Sequence, residues 1–177
     1  MSQSQFKFCP LSGHRLEPAE RGGRARLICP DNDCGFVHWD NPTPVVAAIV
    51  EHVDQIVLVR SIGRPPGWYG LVAGFLEPSE HPDDAVLREI DEEVGLTPNR
   101  CSFLGNYAFE RLNQIIFVYH AEVPNLEIRL GYDELQDYRI LPIAEVRPWS
   151  QGTGPALRDW LAGRGLNPPV VAFGEHV

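Results

Sequence analysis

Hydrophobic residues alternate with polar turns along most of the chain, in short runs that are too brief for long helices. Five such runs are rich in β-branched and aromatic residues and predict strands, at residues 45–50, 56–60, 103–109, 115–123 and 138–141. The first two are separated by a polar turn and predict a β-hairpin. Residues 154–162 carry apolar side chains at helical spacing and predict a closing amphipathic helix.

Residues 82–94 predict a second helix, which carries two stripes. Pro82 suits the first helical position, and Gly95 is a stop signal. An apolar stripe is formed by Val86, Leu87, Ile90 and Val94. About 120° around the helix, an acidic stripe is formed by Glu89, Glu92 and Glu93. We therefore expect this helix to pack against a core with one stripe and to present carboxylates with the other.

The acidic stripe predicts a metal site. Like charges three and four residues apart on a helix repel each other unless a cation lies between them. Hard divalent cations with oxygen ligands, Mg²⁺ or Mn²⁺, suit such a cluster and indicate phosphate chemistry. The alternative is a solvated acidic helix. That alternative does not account for the apolar, glycine-rich run at 70–74 or for Arg88 beside the acidic residues.

These residues also carry a family resemblance. The spacing of the Nudix box is matched by Gly74, Glu80, Arg88, Glu89, Ile90, Glu92, Glu93, Gly95 and Leu96. The chain resembles the Nudix hydrolases. The resemblance implies an α+β fold, an α/β/α sandwich with a mixed sheet. It also implies a metal-dependent enzyme that cleaves a nucleoside diphosphate linked to another moiety.

The resemblance implies roles for individual residues. Glu89, Glu92 and Glu93 would bind Mg²⁺ or Mn²⁺, with help from Glu80 and the backbone carbonyl of Ala73. Arg88 would orient the glutamates, and Glu92 and Glu93 would be central to catalysis. Nudix enzymes often take their general base from a glutamate downstream of the box. Glu134 is the candidate here and Glu110 the runner-up, while a solvated surface position is equally open for each.

Residues 1–40 differ in composition from residues 41–177, because they hold three of the four cysteines, and they predict a separate small segment. Two cysteine-containing turns about 20 residues apart resemble a zinc ribbon. Ser12 stands where a ribbon has its second cysteine, and His14 is a candidate substitute ligand, with His38 a further candidate. We therefore expect structural Zn²⁺ on Cys9, His14, Cys29 and Cys34. The alternative is a ribbon that has lost its metal and is held by packing. Residues 41–177 then form the Nudix domain.

A ribbon followed by a Nudix domain is similar to the NADH pyrophosphatase branch of the family. That branch carries a Ser-Gln-Pro-Trp motif after the box, and residues 103–117 hold no match for it. The expected substrate is therefore ADP-ribose, NADH or a similar dinucleotide, without strong preference for NADH. Trp68 and Tyr69 are the candidate platform for a base, and Arg60 and Arg111 are candidate phosphate contacts. Core packing and simple surface exposure are the alternatives for these four residues.

The net charge of −9 limits the choice of partners. Bulk nucleic-acid binding needs a basic surface, so a small nucleotide is the expected partner. The longest apolar runs are too short to cross a membrane, and the first residues do not resemble a secretory signal, so we expect a cytoplasmic protein. A homodimer remains open. A non-catalytic module that senses nucleotides or ADP-ribose and uses the ribbon to bind a partner is the alternative function, but the intact box favours an enzyme.

Overall fold

The computed structural model describes residues 6–131 and 133–173. Contacts between residues divide the chain into two compact units. The first extends to Pro42 and includes the turn Arg111–Asn113, and the second contains Thr43–Glu110 and the rest of the chain from Gln114 onward.

The first unit is built on a three-stranded antiparallel sheet in the order β1–β2–β3. Its strands are β1 Glu17–Arg21, β2 Arg24–Ile28 and β3 Val37–His38. Gly22 and Gly23 both have positive φ (60° and 74°), which allows a two-residue turn between β1 and β2. A small core contains Cys9, Leu16 and Cys29.

The second unit contains a mixed six-stranded sheet and two helices. The sheet strands are β4 Thr43–His52, β5 Gln55–Ser61, β6 Val72–Phe75, β7 Arg100–Phe109, β8 Gln114–Glu122 and β9 Leu135–Pro142. The helices are α1 Pro82–Val94 and α2 Gly154–Gly163, and short 3₁₀ turns lie at Glu110–Leu112 and Ile143–Glu145. The main order is β7–β8–β4–β5–β9, and β6 pairs with β4.

Strand β4 is central to this sheet. It pairs in parallel with β8, from Thr43 opposite Gln114 to Glu51 opposite Glu122, and antiparallel with β5 and β6. The predicted strands are all present. β9 begins three residues earlier than its apolar run suggested because Leu135 is buried and pairs with Ser61 across a register shift.

Side chains on β4 alternate between two cores. Val46, Ala48 and Val50 belong to the cluster that includes Ala85, Ile90 and Val94 of α1. On the other side, Ile49 packs with Leu157 and Leu161 of α2, and Ala47 with Ala156. A strand buried on both faces reads as an unbroken apolar run, which is the pattern at 45–50. The two helices thus cover opposite faces of the sheet, and the expected α+β fold, an α/β/α sandwich with a mixed sheet, is confirmed.

Helix α1 begins and ends where its sequence signals predict. His81 is the N-cap and accepts a hydrogen bond from the backbone N–H of Asp83, and Pro82 takes the first position. Gly95 ends the helix at φ 65°, and its N–H donates to the carbonyl of Asp91. The packing of Val86, Ile90 and Val94 in the core then fixes the rotation of the acidic stripe relative to the sheet.

A buried ion cluster ties the end of α2 to the sheet. Glu51, only 7% exposed at the end of β4, accepts hydrogen bonds from Nη1 and Nη2 of Arg164 at 2.8 and 2.5 Å. His120 of β8 contacts the same carboxylate, and the guanidinium of Arg164 lies 4.0 Å from the ring centre of Trp160. The cluster satisfies a carboxylate that would otherwise be buried without a partner.

No helix in the described part of the chain is both long and apolar enough to cross a membrane.

Candidate functional site

The acidic stripe of α1 faces a cavity of about 630 Å³ at the end of β6. Its walls come from β6, from α1 and from the loop that precedes β9. The lining residues are Ala73, Gly74, Phe75, Glu77, Arg88, Glu89, Glu92, Glu93, Gly131, Asp133 and Glu134. Six of these side chains are carboxylates and one is an arginine.

Glycine at position 74 lets a carboxylate approach the backbone of β6. A Cβ built on Gly74 would lie 2.0 Å from both Cδ and Oε1 of Glu89. One helical turn further on, Oε2 of Glu93 accepts a hydrogen bond of 3.2 Å from the backbone N–H of Ala73. Glu89 and Glu93 are each only 7% exposed, so two buried carboxylates lie against one short strand.

Arg88 holds three of the glutamates together. Its Nε and Nη2 bind the two carboxylate oxygens of Glu80 at 2.7 and 2.9 Å. Its Nη1 donates to both Glu89 and Glu92 at 2.8 Å, and Nη2 also donates to the carbonyl of Phe75 at 3.1 Å. This two-pronged geometry is one that arginine can provide and lysine cannot.

The loop before β9 is fastened to the end of α1. The N–H of Gly131 donates to the carbonyl of Glu93 at 3.0 Å, and a Cβ on Gly131 would lie 2.4 Å from the carbonyl oxygen of Glu92. This close approach brings Asp133 and Glu134 into the lining of the cavity. Glu134 was predicted from the sequence, whereas Asp133 and Gly131 were not. The spacing of the box carries no signal for a loop about 40 residues downstream.

The crowding of carboxylates shifts their pKa values apart. Burial raises the pKa of Glu93 to about 8, and the nearby charges of Glu89 and Glu134 add to this effect. Burial also raises the pKa of Glu89, against the opposing influence of Arg88. In contrast, hydrogen bonds from Arg88 and from the N–H of Glu77 lower the pKa of Glu80 to about 2. One arginine does not compensate so much negative charge, and this set of oxygen donors suits a hard divalent cation.

A second cavity of about 230 Å³ adjoins the first, and Ala73 and Glu93 line both. Its walls include five aromatic side chains, those of Trp68, Tyr69, Phe109, Trp149 and Phe173. The predicted platform residues Trp68 and Tyr69 therefore lie beside the carboxylates. The sequence reasoning missed Trp149 and Phe173, which are far from the box in the chain.

Tyr69 forms a fixed part of the aromatic wall. It is buried, and its hydroxyl donates to Asp137. Arg60 donates to the same carboxylate at 3.3 Å, and the guanidinium carbons of Arg60 and Arg139 lie 5.7 and 4.6 Å from the centre of the Tyr69 ring. Arg60 thus helps to hold the Tyr69 ring in place, and it is not among the described residues that line either cavity. Trp68 is half-buried, with the guanidinium of Arg64 5.7 Å from its ring centre, and both residues line the cavity.

The other candidates lie elsewhere. Arg111 and Glu110 are exposed residues of the 3₁₀ turn Glu110–Leu112, and neither is among the described residues that line the two cavities.

Three cysteines of the first unit form a compact group. The sulfur atoms of Cys9, Cys29 and Cys34 lie within 4.8 Å of one another. The Ser12 hydroxyl lies 3.2 Å from the sulfur of Cys29, and Nδ1 of His14 lies 3.1 Å from that hydroxyl. Burial opposes ionisation of Cys9, yet hydrogen bonds with Ser12 and neighbouring groups outweigh it and lower the thiol pKa to about 6. The cysteine group could hold a soft or borderline metal ion. His14 is linked to this group only through the Ser12 hydroxyl.

Comparison with known proteins places the chain in a family. The NUDIX domain model matches residues 41–161, so the chain belongs to the NUDIX family, as its box predicts. The NAD-capped RNA hydrolase NudC of Stutzerimonas stutzeri is 30% identical over 136 residues, which are 77% of this chain and 48% of that protein. Human NAD-capped RNA hydrolase NUDT12 is 32% identical over 144 residues, which are 77% of this chain and 31% of that protein. The chain thus spans half or less of the length of these two curated relatives.

Solved structures agree with the fold. A NUDIX hydrolase from Nitrosomonas europaea superimposes with a TM-score of 0.69 at 25% identity, over 94% of this chain and 97% of that chain. A MutT NUDIX hydrolase from Burkholderia pseudomallei gives a TM-score of 0.57 at 25% identity, over 66% of this chain and 96% of that chain.

Proposed function

We propose that this protein is a metal-dependent pyrophosphohydrolase that cleaves a nucleoside diphosphate linked to another moiety, with NAD-like dinucleotides and ADP-ribose as the substrate class. The observation that carries the proposal is the pair of adjoining cavities that share Ala73 and Glu93. One is acidic and suits a diphosphate with its cations. The other is aromatic and suits a flat base. The curated relatives named NAD-capped RNA hydrolases support this substrate class.

The acidic cavity fits Mg²⁺ or Mn²⁺. Its carboxylates far outnumber its single arginine, and a diphosphate would add further negative charge. The proposed ligands are Glu80, Glu89, Glu92, Glu93 and the carbonyl of Ala73. These groups would hold the cation, which would supply positive charge against the diphosphate and a lowered pKa for a bound water.

The protein's own residues supply position and a base. Arg88 binds Glu80, Glu89 and Glu92 at once, so it keeps these three carboxylates in fixed rotamers. Glu134 is exposed on the cavity wall and is the proposed general base that accepts the proton of the attacking water. The half-buried ring of Trp68 offers a stacking surface for the nucleobase of the substrate, and Tyr69 forms the neighbouring part of the cavity wall.

The cysteine group has a structural role in this proposal. Zn²⁺ bound by Cys9, Cys29 and Cys34, with His14 completing the set, would stabilise a unit that has only a small apolar core. The cytoplasmic location and the general assignment of residues 1–40 and 41–177 to a ribbon and a catalytic domain are part of the same proposal.

A substrate panel tests the proposed function. NADH, NAD⁺, ADP-ribose, FAD, diadenosine polyphosphates, coenzyme A and NAD-capped RNA are offered with Mg²⁺, with Mn²⁺ and with excess EDTA. We expect metal-dependent cleavage of at least one compound. We also expect kcat/KM values for NADH, NAD⁺ and ADP-ribose within about 200-fold of each other, because a site that contacts only the ADP half has no polar group left unpaired when the second moiety changes.

Two results would contradict the proposal. Tight binding of ADP-ribose with no cleavage of any compound would favour the nucleotide-sensing module instead. A preference for NADH above about a thousandfold would mean that other residues replace the missing Ser-Gln-Pro-Trp motif.

A further inference from the structure

One face of the first unit's sheet carries three arginines and a tryptophan. Arg21 pairs with Arg24 across the hairpin, and Arg26 pairs with Ala19. Directly paired residues project to the same side of a sheet, and alternate residues of a strand do too, so all three arginines share one face. The ring of Trp39 lies on this face, with the guanidinium carbon of Arg26 5.5 Å from its centre. We call these four residues the arginine face.

Trp39 extends along the face toward the hairpin tip. A Cβ built on Gly22 would lie 4.0 Å from Cζ3 of the indole, and Gly22 is the first of the two turn residues between Arg21 and Arg24. Trp39 is 49% exposed, so about half of its surface meets solvent. An exposed aromatic plane therefore lies beside two exposed cationic side chains.

The charge of the arginine face is not cancelled locally. Glu20 pairs with Ala25 and so projects from the opposite side of the hairpin. Glu17 projects from the same side as Arg21 but lies four residues away from it, at the far end of β1 opposite Ile28. Within residues 6–131 and 133–173, no ion pair involves Arg21, Arg24 or Arg26. This is unusual in a chain whose net charge is −9, where acidic partners are plentiful.

We propose that the arginine face binds single-stranded nucleic acid. Arg21 and Arg24 would contact successive phosphates, and Trp39 would stack on one base. A duplex keeps its base faces covered and would leave the indole unused. An acidic peptide could pair with the arginines but would bring no flat ring for the indole. The proposal concerns binding by this face alone and does not depend on hydrolysis by the second unit.

The expected strength is modest because the rest of the chain is acidic. Two arginines that neutralise two phosphates of a single strand give a slope of log K against log salt of about −1.4. Removing both should bring the slope close to zero. Loss of one stacked base corresponds to about a 5- to 150-fold weaker affinity.

The test is fluorescence anisotropy of a labelled single-stranded RNA of about 12 nucleotides with the full chain, at salt concentrations from about 50 to 200 mM. The variants are the double change Arg21→Gln with Arg24→Gln, and Trp39→Ala. Trp39→Phe keeps an aromatic plane and should retain most of the affinity. Arg158→Gln, which removes an exposed arginine from α2, is the matched control and should bind as the unchanged protein does.

The proposal predicts loss of binding and of salt dependence in the double variant and weaker binding in Trp39→Ala, with circular dichroism unchanged. Polyphosphate of equal charge should compete poorly. Three results would overturn it: binding by the double variant equal to that of Arg158→Gln, no effect of Trp39→Ala, or equal competition by polyphosphate or duplex. The assay measures binding and not cleavage, so a negative result would overturn this proposal without affecting the proposed hydrolase activity, which the substrate panel tests.

Discussion

Replacement of Gly74 by alanine should disable the acidic cavity and leave the fold nearly intact. The added Cβ would lie 2.0 Å from the carboxylate carbon of Glu89, whereas ordinary van der Waals contact begins at about 3.4 Å. The carboxylate must therefore move by about 1.4 Å. The strand cannot yield easily because Gly74 pairs with Val46 inside the sheet, so the flexible end of Glu89 moves instead.

The size of the two effects differs. A displacement of about 1 Å in a catalytic arrangement costs about 100-fold in rate, and we expect Gly74→Ala to lower kcat by at least that factor. Rotation of the Glu89 side chain into another rotamer costs about 1 kcal/mol of folding free energy, which corresponds to a Tm shift of about 2–4 °C in a domain of this size. Affinity for Mn²⁺, measured by electron paramagnetic resonance, should fall together with the rate.

Gly163→Ala is the control, because nothing lies within 4 Å of a Cβ at this position and it ends α2 far along the chain from the box. We expect full activity and an unchanged Tm. Turnover of the Gly74→Ala variant within threefold of the unchanged protein would refute the assignment of Glu89. A fall in Tm of about 10 °C or more would show that the glycine serves folding rather than the site.

Three further changes have definite expected outcomes. Glu93→Gln should lower turnover by about 100-fold or more yet raise the Tm of the metal-free protein at pH 8. The pKa of Glu93 is raised from 4.5 to about 8 by burial, so its carboxylate destabilises the fold increasingly as the pH rises above 4.5. Equal Tm values at pH 8 would contradict this. Val53, exposed at φ 57° in the two-residue turn between β4 and β5, is strained, so Val53→Gly should stabilise by about 1 kcal/mol in thermal melts; a lower Tm would count against the strain. Elemental analysis should find about one zinc per chain, which Cys34→Ser removes and Cys101→Ser keeps; well under half an equivalent in the unchanged protein would mean a metal-free ribbon.

The fold and the acidic cavity were predictable because their signals are local. Strand periodicity, the Pro82 start and the Gly95 stop are read from neighbouring residues, and the box has fixed spacing. The glycine at position 74 is explained only by the structure, which shows the approach of Glu89 that a side chain would block.

The aromatic cavity was predictable only in part, because contacts between distant residues leave no periodic trace in the sequence. Tyr69 and Asp137 are 68 residues apart, and Glu51 and Arg164 are 113 residues apart. Each side chain alone reads as an ordinary surface or core residue. Trp149 and Phe173 join the cavity for the same reason, through the path of the chain after β9.

The central position of β4 has a consequence for how the protein folds. Its parallel partner β8 begins 71 positions later in the register, at Gln114 opposite Thr43, so the sheet cannot close until the chain beyond that strand is available. Pairings this distant slow folding, because the loop between them must be ordered before the contact stabilises it. During synthesis the hairpin β4–β5 would emerge before β8, with the apolar side chains of β4 open on both faces. We therefore expect the apolar surface of this strand pair to be open to association with other chains until β8 pairs with β4.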